Sequence, residues 1–162
     1  MYTWKIFVSF LLPTISLVAV PWAVHHWIEP LSFASTFALI AGSLMIITGA
    51  GFLAWTSSIF AAFGQGTLAP WDGPQKLVIL DPFRYVRNPS AISIITMLWG
   101  ETLIFNSFYI LGWSAIYWLV IQVYLIFKEE IDLEKKYGEA YARYKKDVPR
   151  WIPLDTPVKF DP

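Results

Sequence analysis

Two separated polar segments hold the side chains that can do chemistry. The first, LVILDPFRYVRNPSA over residues 77–91, sets Arg87, Asn88 and Pro89 in a row. The second, KEEIDLEKKYGEAYARYKKDVPRWIP over residues 128–153, opens on Glu129 and Glu130 and closes around Arg150. A guanidinium beside an amide can hold a carboxylate or a ribose, or it can anchor a helix end to lipid phosphates. A carboxylate can bind ribose hydroxyls or an ammonium group, or stand in a solvated acidic turn. Adjacent helical side chains point about 100° apart, so at most one of Glu129 and Glu130 faces a given ligand. Glu101 is a lone acid in an apolar run. Intramembrane acids are costly and often functional, unless a nearby helix end lets them reach water. His25 and His26 diverge on a helix and make a poor metal pair. There is no cysteine, which excludes disulfides, Cys-ligated metals and thiol nucleophiles.

The elements that must position these groups are apolar. The chain has 162 residues, 56% hydrophobic and 18% aromatic, with a mean hydropathy of +0.51. A soluble domain of this size rarely carries that much apolar surface, and lipid is its usual destination. A hydrocarbon core of about 30 Å needs roughly 20 apolar residues per helix. Spans are expected at about residues 6–24, 33–63, 89–105 and 108–127, with Asn106-Ser107 making the last two a tight hairpin. The fold class is therefore an all-α integral membrane domain of about four transmembrane helices. Residues 6–24 read as a retained span, since no small-x-small cleavage site precedes His25.

Charge sets the orientation. Lys5 precedes the first span, Lys76, Arg84 and Arg87 follow the second, and every other Lys or Arg follows the fourth. The positive-inside rule places both termini, the loop 64–88 and the tail 128–162 on the cytoplasmic side. Net charge is zero, so bulk electrostatics names no partner; neither a nucleic-acid partner nor a metal is expected.

Local signals place the polar groups. Pro89 suits the first turn of a helix. Gly64-Gln65-Gly66 is too little for a nucleotide loop and reads as a flexible exit from the membrane. In the second span Ala41, Gly42, Gly49, Ala50, Gly51 and Ala54 allow close helix approach. Past Phe127, Ile131, Leu133, Tyr137, Tyr141 and Tyr144 recur near helical spacing, so the fourth span should continue into an amphipathic tail helix ended by Pro149.

Together the two polar segments resemble those of the isoprenylcysteine carboxyl methyltransferase and phospholipid methyltransferase group. The loop is similar to that group's aromatic-rich segment ending in Arg, His or Asn, then Pro. The tail matches through Glu129, Glu130, Leu133, Tyr137, Gly138, Tyr141, Tyr144, Val148, Pro149, Arg150, Ile152 and Pro153. The likeness covers roughly residues 64–153, and two motifs in the right order around a hairpin are specific. It implies an S-adenosyl-L-methionine-dependent membrane enzyme acting on a lipophilic small molecule; size and motif flavour suggest a bacterial inner membrane, with the endoplasmic reticulum as the alternative. By position it implies that Lys76, Leu77, Val78 and Phe83 line a cytoplasmic cofactor pocket. Arg87, Asn88, Pro89 and Ser90 would join it at the hairpin start and Glu129 from the tail. Arg87, Glu130 and Arg150 are the candidates for catalysis. The sulfonium is already activated, so the protein's work is orientation and desolvation.

The departures from the pattern are specific. Asn88 stands where many members have His, Ala91 replaces Tyr, Ser93 replaces Gly, Asp81 the first Gly and Phe83 the first Tyr. Leu125 falls where isoprenylcysteine enzymes carry an Arg for the substrate carboxylate, which argues against a prenylcysteine substrate. Two rivals remain: a degenerate member acting as a membrane interaction protein, and a membrane reductase like the related sterol reductases.

Overall fold

The computed structural model describes residues 11–29, 32, 34–64 and 75–160. Among these the chain is all helical, without a strand. Helix α1 covers residues 11–27; residues 6–10 of the expected first span lie outside the described residues. Its prolines, Pro13 and Pro21, flank a π-helical turn at Ile15–Ala19, where the Val20 N–H reaches back to Ile15 O. Proline breaks the regular ladder, and the wider turn supplies the Val20 donor with a partner.

Helix α2 spans Thr36–Gly64. Ser35 caps its start, accepting from the Ala38 N–H at 3.4 Å, and its last five residues, Phe60–Gly64, form a second π-helical turn. Helix α3, Pro89–Phe105, begins on proline as expected and ends at Asn106, whose φ of 49° stops the helix in the left-handed region. Ser107 caps the next helix by accepting from the Ile110 N–H at 3.3 Å. That helix, α4, runs from Phe108 to Tyr137 through a third π-helical turn at Leu125–Glu129.

Helices α2 and α4 are each long and apolar enough to cross a membrane, and α3 is a shorter apolar helix. Phe37 and Phe108 are each 81% exposed and Phe127 70%. Aromatic side chains thrown outward to that extent on apolar helices fit lipid better than water. The tail differs from the single amphipathic helix expected. Gly138, at φ 57°, breaks it, and helix α5 occupies Glu139–Asp147, ending two residues before Pro149.

The helices pack through absent side chains. A Cβ on Gly42 would lie 2.5 Å from Gly100 O, and one on Gly100 would lie 2.6 Å from Gly42 O. Gly49 meets Ser93 O and Met97 in the same way, whereas Gly51 has open space around it. Leu53, Ile94 and Leu98 form the core between α2 and α3, with Leu17, Trp113 and Tyr117 packed against them. Two further cores lie at the α3 N-terminal end of the bundle. Ile59, Val78 and Phe83 make one; Tyr141, Tyr144 and Val148 make the other.

Candidate functional site

The two polar segments meet. Arg87 is the joint: its backbone N–H donates to Pro149 O at 2.9 Å, its Nε to Val148 O at 2.9 Å, and its Nη1 to Glu130 Oε1 at 2.7 Å. Asn88 Nδ2 donates to Arg150 O at 3.4 Å, and Tyr144 OH to Phe83 O at 2.9 Å. Further along, Leu154 N–H donates to Tyr85 O at 3.0 Å and Val158 N–H to Arg84 O at 3.1 Å. The tail thus runs back over the loop and is tied to it mainly by backbone groups.

Beneath this crossing lies a part-open pocket with an enclosed space of about 50 Å³. Leu77, Val78, Phe83, Arg87, Asn88, Glu129 and Glu130, all expected at the site, line it. Phe60, Leu125, Leu133, Tyr141 and Tyr144 complete the wall. Of these, Leu133 and the tyrosines were visible as a helical stripe but had no assigned place, and Phe60 gave no signal in the sequence. Lys76 is exposed beside Leu77. Pro89 is fully buried. The Ser90 hydroxyl donates to Thr56 Oγ1 at 3.1 Å, joining α3 to α2. Residues 65–74 lie outside the described residues; the chain leaves at Gly64 and returns at Gln75, whose N–H donates to Gly64 O at 2.7 Å.

Adjacent carboxylates have opposite surroundings, both beyond Phe127, the last apolar residue before the polar tail. Glu130 is buried and paired with Arg87 at 2.7 Å, Arg150 at 2.8 Å and Lys145 at 3.2 Å. Burial alone would raise its pKa, but the Arg150 hydrogen bond and the Arg87 charge hold it below the usual carboxylate range. Glu129 has no hydrogen-bond or ion-pair partner among the described residues. Burial, then the charge of Glu130, pushes it up to about 7. The three catalytic candidates Arg87, Glu130 and Arg150 therefore form one ion-pair cluster, which fixes the tail, while Glu129 lines the pocket without a partner among the described residues.

The lining combines apolar walls with a carboxylate and an amide, the groups that complement an apolar ring carrying a positive or hydroxyl-bearing part. The donor set fits S-adenosyl-L-methionine in kind: apolar walls at Leu77, Val78, Phe83 and Leu125, a carboxylate at Glu129 and an amide at Asn88.

The family model for phospholipid methyltransferase matches residues 37–140. That range takes in α2, the hairpin and the first pocket-forming part of the tail. The chain belongs to the phospholipid methyltransferase family. An uncharacterized protein of Haemophilus influenzae is 42% identical over 62 residues, 38% of this chain and 97% of that protein. No solved structure matches the chain. In this family member the other sequence candidates lie elsewhere. His25 and Glu101 are at the far end of the bundle, with both His25 ring nitrogens and Glu101 Oε2 buried without a hydrogen-bond partner among the described residues. The alternative that Glu101 reaches water does not describe that oxygen. No group of three or more His, Asp or Glu converges for a metal among the described residues.

Proposed function

We propose that the chain transfers a methyl group from S-adenosyl-L-methionine to a lipophilic acceptor held in the membrane. The observation that carries this reading is Glu129, a carboxylate without a partner among the described residues, lining a largely apolar pocket in a methyltransferase-family chain. In its ionised form, a carboxylate in a poorly solvated wall favours a ligand that joins a positive centre to an apolar body. Leu77, Val78, Phe83, Asn88 and Glu129 would hold the cofactor, with one portion in the enclosed space and the rest extending through the open mouth. Bound there, it supplies a methyl group already activated on a sulfonium. The chain's own groups then orient and exclude water. Arg87, Glu130 and Arg150 act by fixing the tail over the pocket, and Pro89 and Ser90 by seating the start of α3. Lys76 stands beside Leu77 as an exposed cation. Charge distribution supports an even number of spans, with loop and tail on the cytoplasmic side.

Calorimetry on the detergent-purified protein tests this. Micromolar binding of both S-adenosylmethionine and S-adenosylhomocysteine is expected, and Glu129→Ala should abolish it while the protein stays monodisperse. Intact binding in that variant would mean the pocket is elsewhere. No binding by the parent at millimolar ligand would sink the cofactor assignment.

A further inference from the structure

Between two ties to the loop the tail makes a short excursion, residues 150–153. Before it, Pro149 O accepts from the Arg87 N–H at 2.9 Å; after it, the Leu154 N–H donates to Tyr85 O at 3.0 Å. The two sides of the excursion differ. Arg150 turns inward, its Nε on Glu130 Oε1 at 2.8 Å. Ile152 turns outward and is 79% exposed. A single exposed Ile is ordinary on a soluble surface, so its level along the molecule decides what it meets.

Trp151 fixes that level. Its Nε1 donates to Gln122 Oε1 at 2.7 Å, and its ring lies 6.1 Å from the ring of Trp118. Gln122 and Trp118 precede Phe127 on α4 by five and nine residues, about 7 and 13 Å of helix rise. Helical side chains lean toward the N-terminus of their own helix, here away from the polar tail, so both reach further in than their Cα atoms. The tip of the excursion therefore lies beside the apolar part of α4, near the level of the exposed Val120. Its backbone suits that place. Pro149 and Pro153 carry no N–H, and the Leu154 N–H is bonded. Fewer free donors lower the cost of apolar surroundings.

We propose that residues 150–153 are an interfacial anchor, with Trp151 pinning the tip to α4 and Ile152 inserted among lipid acyl chains just below the headgroups. The partner is the bilayer surface, because the tip continues, at one depth, the lipid-facing flank of α4. Arg150, at the base of the tip, is also a residue that holds Glu130, so the bilayer helps to keep the tail down over the pocket. The anchor goes beyond the methyl-transfer reading and needs only that α4 crosses the membrane.

Site-directed spin labelling in lipid nanodiscs tests this. The chain lacks cysteine, so single labels need no native residue removed. A nitroxide at Ile152→Cys should collide freely with oxygen, as one at Val120→Cys does. Its collisions with a water-soluble nickel chelate should be several-fold fewer than those of a label at Arg143→Cys, an exposed position on α5. Pro153→Cys repeats the measurement if the first variant folds poorly. A label at 152 that behaves like Arg143→Cys would put the tip in water, and one shielded from both reagents would put it against protein; either result overturns the proposal. Limited proteolysis reads the coupling to the tail. Ile152→Asp should speed tail cleavage several-fold in nanodiscs, with Ile152→Leu unchanged, whereas equal rates would remove the bilayer's hold on the tail.

Discussion

Glu129 and Glu130 are neighbours with different work. Three cations hold Glu130 ionised, so it serves as a fixed counter-charge. Glu129, raised to about 7 by burial and by Glu130, titrates in the physiological range, and stability and binding respond with opposite signs. Raised above the ordinary carboxylate range, the group favours the protonated native state; that contribution is full at low pH and fades as pH rises through about 7. Ligand binding runs the other way, because a cationic ligand needs the ionised form. Cofactor affinity should therefore fall as pH drops below about 7, while Glu129→Gln should bind weakly with a flat pH profile. Calorimetry from pH 5.5 to 8.5 checks both, and an equally steep profile in Glu129→Gln would assign the titration to another group. The pH limits, about one and a half units either side of 7, cover the transition.

At the scale of elements, two of the three π-helical turns among the described residues border the pocket. Phe60 opens one, and Leu125 and Glu129 bound the other. One extra residue in a turn rotates the remainder of the helix by about 100°, so these turns decide which side chains face inward. The glycine contact between α2 and α3 holds that arrangement at a fixed spacing. Gly100→Ala would push a methyl to 2.6 Å from Gly42 O, and overpacking of this kind costs about 1–3 kcal/mol. Gly112, with nothing within 4 Å of its would-be Cβ, is the control. Thermal unfolding in detergent should show Gly100→Ala well below Gly112→Ala; equal midpoints would refute the close-contact account.

Across the whole molecule the tail is a strap. It leaves α4, turns at Gly138, and crosses back to bond the loop at Phe83, Arg84, Tyr85 and Arg87. Its charge centre is Glu130, and the Arg87 side chain it pairs with is 10% exposed. Removing one partner of a buried ion pair leaves the other uncompensated, typically at about 3–5 kcal/mol. Glu130→Ala should accordingly weaken cofactor binding although Glu130 is not the unpaired carboxylate, and should expose the tail to protease before the helices unfold. A variant with a protected tail and normal binding would show that the backbone bonds alone suffice.

How far the amino-acid order determined these features depends on range. The hairpin was legible because its signals are local: proline at the start of α3, an asparagine that accepts positive φ, a serine cap. Apolar runs long enough for α2 and α4 are set by composition. The pairing of loop and tail came from two polar segments that had to share a face, and from a resemblance that set Leu77, Val78, Phe83, Asn88 and Glu129 together. The tertiary structure decided which glutamate is paired among the described residues. Glu130 is taken up by groups 43 and 20 residues away, and no local pattern distinguishes it from Glu129. The same holds for Phe60 and the two tyrosines in the wall, for the break at Gly138, and for the meeting of Gly42 with Gly100. Each depends on a contact between distant segments, whose geometry exists only once the helices have packed.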